Sequence, residues 1–266
     1  YDVSEDWSFY GRIANASRGP VTIGRFGFVS SADTETSDSV EFGFKSTLFG
    51  GRARWNTSIY AFVNDDQQLS ATGGGANVNR LLNAQEVKGN GIETEFEILL
   101  TDNLLLIANA SYNTTEINDP ELADLACGSA PSCTYLDPLI EAGGGPFGED
   151  VVSIDGNPLP RAPELMGNIA LQWNIPVGDG DIYFHTDWNY RDDSNLFLHR
   201  SVEFVQEARV LGGVRLGYAT DSGMDFAIIG RNITDEVTVD GALNFLNLTA
   251  FVNEPSFWGV EFNYRF

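Results

Sequence analysis

The sequence predicts an all-β chain, a series of antiparallel strands of the kind that cross a membrane as part of a transmembrane barrel. Three observations predict it: strands with one apolar and one polar face, connections that alternate between tight and long, and a final greasy row ending on an aromatic. The clearest strand is "PSFWGVEFNYRF" (255–266), where Trp258, Val260, Phe262, Tyr264 and Phe266 occupy every second position. Successive side chains of a strand point to opposite faces, so this spacing gathers those five on one side. Phe257, Gly259, Glu261, Asn263 and Arg265 fall on the other.

Ten segments carry strand patterning: 7–14, 40–48, 53–64, 91–99, 104–116, 164–174, 181–190, 207–218, 224–232 and 257–266. No amphipathic helical stretch of useful length competes with them. Between alternate pairs lie the tight turns "FGGR" (49–52), "TDN" (101–103), "IPVGDG" (175–180) and "ATDSG" (219–223), rich in Gly, Asp and Asn. The remaining connections are long, the longest spanning 117–163. A soluble sandwich has no reason to alternate short and long strictly. An outer-membrane barrel does, because its periplasmic turns are short and its extracellular loops long. Placing Phe266 in the periplasm puts every tight turn there, and Tyr1 as well.

The two faces differ in chemistry as such a barrel requires. Glu93, Glu95 and Glu97 oppose Ile92, Thr94, Phe96 and Ile98, and Asp181, His185 and Asp187 oppose Ile182, Phe184, Thr186 and Trp188. Three glutamates on one strand face must be solvated or paired. A lumen, open or filled, provides that while the other face meets lipid, so these six charged or polar residues are expected to point inward. Trp7, Trp173, Trp188 and Trp258 near strand ends suit interfacial girdles.

Composition narrows the function. The 266 residues carry 15 Lys plus Arg against 38 Asp plus Glu, a formal charge of -23, which repels a phosphate backbone and excludes nucleic acid as a partner. No apolar run is long enough for a membrane helix, although barrel strands escape that criterion. The opening "YDVSEDWSFY" lacks Met and a basic region, and reads as a mature protein or a fragment. Cys127 and Cys133 lie in a loop with a proline between them. A disulfide is preferred over two free thiols, and an oxidising compartment follows. Neither His185 nor His199 is near them, so no zinc site, metal or cofactor is expected. "TGGGAN" and "KGNG" precede no helix and are not phosphate loops.

Several segments, in order, resemble the C-terminal half of a TonB-dependent outer-membrane receptor. They are "WSFYGRIANASRG", the Glu-x-Gly-x-Lys hairpin in "SVEFGFKSTLFGGRARWNTSIYAFVNDDQQ", "NAQEVKGNGIETEFEI", "GNPLPRAPE", "GRNITDE" and the closing strand. The family often has Pro-Arg before that last strand, where this chain has Pro255-Ser256. The resemblance implies a 22-stranded barrel holding an N-terminal plug. It also implies active import of a scarce ligand (siderophore, cobalamin, carbohydrate or similar) driven through TonB. Residues 1–266 then form the last ten strands, and their partners are the plug, the earlier strands, outer-membrane lipid and lipopolysaccharide, and the TonB complex. The alternating C-terminal aromatics, Trp258 to Phe266, resemble the signal read by the barrel-assembly machinery.

Two other readings compete. A passive porin shares the alternation and the terminal Phe but not the "GRNITDE" and "NAQEVKGNGIE" patterns. His185 and Asp187 are the one catalytic-looking pair, as in the ten-stranded omptin proteases, but no second acidic pair matches it. The expectation is therefore a non-enzyme. Ligand contacts are expected on the long loops, with Phe197, His199, Arg200, Phe245 and Phe251 as candidates, each of which would equally serve to order a loop.

Overall fold

In the computed structural model, which describes residues 1–25, 27–73, 78–126, 133–245 and 247–265, all ten expected strands form and pair in chain order. They are β1 (Trp7–Arg18), β2 (Glu35–Leu48), β3 (Ala53–Gly73), β4 (Val78–Thr101), β5 (Leu104–Asn118), β6 (Leu165–Pro176), β7 (Gly180–Arg191), β8 (Arg209–Thr220), β9 (Met224–Arg231) and β10 (Phe257–Tyr264). A short piece, Asp2–Ser4, pairs with β1 and makes the sheet eleven-stranded. Every pairing in it is antiparallel, and β10 does not return to the first strand, so the sheet is open among the described residues. A closed ten-stranded barrel is not what this chain forms.

Tight turns fall where glycine and aspartate cluster. In the first, Phe49, Gly50 and Gly51 all have positive φ (54°, 64° and 89°), a sequence of left-handed residues that glycine makes affordable. Arg52, closing that turn, donates from Nη1 to Asp102 Oδ1 at 2.7 Å and so ties it to the next tight turn.

The long connections are far more ordered than their patterning suggests. The connection expected over 65–90 is mostly strand: β3 and β4 continue as a paired ladder to Gly73 and Val78. Apolar alternation stops near Asn64, but the hydrogen-bonded ladder does not, because backbone pairing needs no apolar face. Small sheets also fold within the other loops. Val21–Arg25 pairs with Phe28–Ala32, Leu139–Glu141 and Ala123–Ala126 flank Asp150–Ser153, and Val239–Phe245 pairs with Asn247–Val252.

Register decides which side chains share a face, since paired residues of an antiparallel ladder lie on one side. One row runs Phe42, Ile59, Ile92, Tyr112, Leu165 across β2 to β6, aliphatic or aromatic throughout and exposed. A row of the same face runs Phe184, Leu216, Ile228, Val260 across β7 to β10. On the other face, Arg54, Glu97, Ile107, Ala170 and Asp187 align across β3 to β7. Glu93, Glu95, Glu97, Asp181, His185 and Asp187 therefore share one face, and Trp258, Val260, Phe262 and Tyr264 the opposite one. Phe266 lies outside the described residues.

Among the described residues, neither hydrophobic cluster lies under the middle of the sheet. The two hydrophobic clusters sit among the loops instead. The larger joins Leu69, Ala71, Ala84 and Val87 of the β3–β4 extension to Ile117, Ile154 and Leu198. The smaller gathers Cys133, Leu196 and Phe204. Together they make a packed cap at the loop end of the sheet.

Candidate functional site

The polar face carries several groups of paired side chains. Arg54 Nη2 meets Glu97 Oε2 at 2.9 Å, and Asn56 donates to Glu95 across 3.5 Å. Tyr10 donates its hydroxyl to Glu41 Oε1 at 2.6 Å. Its ring lies across Gly43, where a Cβ would come within 2.6 Å of the ring carbons, which gives the Glu-x-Gly-x-Lys pattern a physical reason. Further along, Tyr183 crosses Gly217 in the same way and donates to Asp225 at 2.6 Å. Arg215 binds Glu261 at 2.6 Å and lies over the Tyr183 ring. His185 Nε2 and Asp187 Oδ1 stand 3.8 Å apart, too far for a hydrogen bond, and both are part-exposed. A cavity of about 530 Å³ opens here, lined by His185, Asp187, Arg215, Arg231, Asp240 and Glu261 among others.

The cap is held by buried charges. Asp124 is hydrogen-bonded to His199 Nδ1 at 2.9 Å through Oδ2 and to Arg80 Nη2 at 2.6 Å through Oδ1. Asp137 accepts the Arg200 amide (2.6 Å), Arg200 Nε (2.7 Å) and Asn157 Nδ2 (2.9 Å). Phe197 stacks on His199 and meets Phe204 edge-on. Main-chain bonds from Leu136 to Arg200 and from Val202 to Thr134 stitch the two loops together. Burial pushes the Tyr135 phenol up, and its hydrogen bond to Asp150 adds to that.

The expected ligand residues thus divide. His199 is 1% exposed, and Phe197 and Arg200 are engaged within the cap. Phe251 is 51% exposed on its hairpin, while the side chain of Phe245 lies outside the described residues. Cys133 is buried and disulfide-bonded; Cys127 lies outside the described residues. Among the described residues no group of three or more His, Cys, Asp or Glu is arranged to hold a metal.

Two motifs acquire roles at the loop bases. In "GRNITDE", Asn232 takes a left-handed turn (φ 45°), and its Nδ2 donates to the carbonyls of Glu236 and Glu254. Asp235 then accepts the Ser256 amide at 3.1 Å, so the motif fastens the start of the last long loop to its end. In "GNPLPRAPE", the Pro163 carbonyl accepts Asn113 Nδ2 at 2.6 Å, seating the descending segment against β5. The pattern did not single out Asp124 and Asp137, whose partners lie far away in sequence, or the ladder pairing of Arg191 with Arg209.

Sequence and structure comparisons agree on what this arrangement is. The chain aligns over its full length with the ferric yersiniabactin uptake receptor FyuA from Yersinia pestis (15% identity, TM-score 0.75), covering 36% of that protein. It aligns over 99% with the siderophore receptor PiuA from Acinetobacter baumannii (14%, TM-score 0.72) and over 100% with the ferric-catecholate import receptor Fiu from E. coli K12 (15%, TM-score 0.69), covering 34% of each. At these identities the likeness is one of fold, and the chain spans about a third of the structures it matches. No curated protein matches it in sequence. The open antiparallel sheet, with two unlike faces and tight and long connections in alternation, has the fold of one segment of these receptor barrels. The chain belongs to the TonB dependent receptor-like β-barrel family, whose model matches residues 1–253.

Proposed function

We propose that this chain is the C-terminal part of a receptor barrel that imports a scarce ligand across the outer membrane, with energy delivered through TonB. The observation that carries the reading is the sheet with unlike faces in a chain that matches the family over 1–253. The apolar rows meet lipid, and the polar rows line a lumen filled by a plug supplied by another part of the protein. Tight turns lie in the periplasm and the packed cap outside the cell. The structural neighbours, named for the uptake of metal chelates, support a ligand of that kind, although the family carries others. The alternating residues Trp258 to Phe266 serve assembly, and deleting Phe266 should lower the amount of barrel in the membrane while survivors bind ligand normally.

The deciding experiment measures ligand uptake by the full-length protein in cells with and without TonB. Uptake that stops without TonB supports the proposal. Uptake that persists unchanged replaces it with the porin reading.

A further inference from the structure

A trough of about 460 Å³ crosses the polar face from β4 to β8, and its two ends are oppositely charged. Glu93 and Glu95 line one end, Arg191 and Arg209 the other. Register places Glu93, Ser111, Met166 and Arg191 in a single row, and Glu95, Asn109, Asn168 and Asn189 in the next. Acid and base thus stand three strands apart, with neutral side chains between them. Three steps of about 4.8 Å separate their backbones by roughly 14 Å. The lining charges cancel in number but not in position.

Each end is short of partners. Glu93 and Glu95 are exposed, and among the described residues neither has a cation within ion-pair distance. Glu95 is met by Asn56 Nδ2 across 3.5 Å. Glu41 and Lys45 flank the pair in an adjoining cavity, so that end holds three carboxylates against one ammonium. At the other end Asp240 is bound by Arg209. Arg191 is left with contacts of 3.4 Å from Nη2 to the Arg161 carbonyl and Ser194 Oγ, and its buried Nε has no partner. The charges that reach it are Arg209, Asp240 and Arg161, two positive against one negative.

Arg191 is the last residue of β7, and at about 3.4 Å per residue and a tilt of about 40° it stands roughly 30 Å above its tight turn. Glu93 stands roughly 20 Å above the turn that follows β4. The trough therefore lies toward the loop end, the side that a solute from outside reaches first in a receptor.

We infer that the trough binds a zwitterionic solute of peptide length, its ammonium against Glu93 and Glu95 and its carboxylate in the fork of Arg191. A guanidinium fork takes a carboxylate in bidentate fashion, and an ammonium offers three donors. Asn109, which makes no side-chain hydrogen bond among the described residues, lies between the ends and suits the peptide's own amides. The charges of a single amino acid lie too close together to meet both ends. An extended peptide advances about 3.4 Å per residue, so about three or four residues span the gap once the charged side chains reach inward. The inference rests on the receptor reading for its biology, but binding does not require TonB.

The test is calorimetric titration of the full-length receptor in detergent with trialanine, with its N-acetylated and C-amidated forms, and with alanine. Trialanine should bind, more weakly at high salt. Blocking either terminus should weaken binding about tenfold or more, and alanine should bind no better than the blocked forms. Variants assign the ends. In Arg191→Gln, trialanine and its amide should bind alike, while acetylation still weakens binding. In the Glu93→Gln, Glu95→Gln double variant acetylation should cease to matter, while amidation still does. Arg52→Gln, in a tight turn, should bind as the unaltered receptor does. The peptide comparison in the unaltered receptor decides the matter even where a variant fails to fold. Absence of trialanine binding overturns the inference, as when a plug segment bearing both charges already fills the trough. So do blocked forms that bind as well as the free peptide, and alanine that matches trialanine. None of these outcomes bears on whether uptake needs TonB, so the two readings fail separately.

Discussion

The sheet and the cap of this molecule are stabilised in opposite ways. In the sheet, Phe42, Ile59, Ile92, Ile228 and Val260 stand exposed on one face, beside their ladder partners in the same layer. In the cap, Ile117, Ile154 and Val87 are wholly buried, and Asp124 and Asp137 are buried with their hydrogen bonds made inside the cap. The sheet derives its stability from the ladder and from whatever solvent receives its apolar face. The cap derives its own from a core like that of a small soluble domain. One chain therefore uses two solvents, and a substitution acts according to the region it falls in.

Cavity formation should give the largest contrast. Ile154→Ala should cost the cap about 2–5 kcal/mol, since its surroundings cannot collapse fully onto the space. Hydrogen exchange would show it as faster exchange at the amides of Ile117, Gly156 and Asn157, which bond within the cap, with the β7–β8 ladder unchanged. Equal loss in both regions would mean that cap and sheet unfold as one unit.

Next comes a charge on the apolar face. Val260→Lys should cost up to about 2–4 kcal/mol if that face lies near the middle of the bilayer. Less folded barrel should be recovered from membranes, read as the heat-modifiable band on a gel. A full yield would place Val260 away from lipid.

Removing Asp137 should have a smaller and local effect. Asp137→Ala takes away three hydrogen bonds, but the Arg200 side chain is 43% exposed and water can take over part of the loss. About 1.5–3 kcal/mol of local stability should disappear, visible as faster exchange at the Arg200 amide. The Arg80–Asp124–His199 group should stay protected.

The smallest effect is a pH dependence confined to the cap. Burial pushes the Glu203 carboxyl up, but hydrogen bonds from the Thr134 amide and hydroxyl and from its own amide outweigh this and leave it below its ordinary value of 4.5. Folded Glu203 thus binds its proton less readily than the unfolded chain does. Its contribution is present above pH 4.5 and lost as pH falls through the lower folded value. The amide resonance of Thr134 should shift in that acidic window, and Glu203→Gln should remove the shift.

Legibility followed the same division. The strands were readable where one face is apolar, because a period of two is a local property. The β3–β4 extension was not, since beyond Asn64 apolar residues are sparse along β3, and the few there, Leu69 and Ala71, pack against residues distant in sequence while the ladder continues to Gly73. His199 and Asp124 are 75 residues apart and Arg200 and Asp137 are 63 apart, so no spacing announces them. Phe197 and Phe251 read alike as loop aromatics, yet one packs on Phe204 and the other stands in the open.

By itself, the sequence determined the all-β class, the ten strands, the tight turns and the separation of Glu93, Glu95 and Glu97 from Trp258, Val260 and Phe262. Those follow from backbone geometry and nearest neighbours along the chain. Tertiary structure alone decided that Arg191 would stand opposite Arg209, that Asp124 would reach both His199 and Arg80, and that the long loops would pack into a cap. Such meetings depend on the register between strands and on how loops fold over one another, and these are set by the pairing of segments distant in sequence.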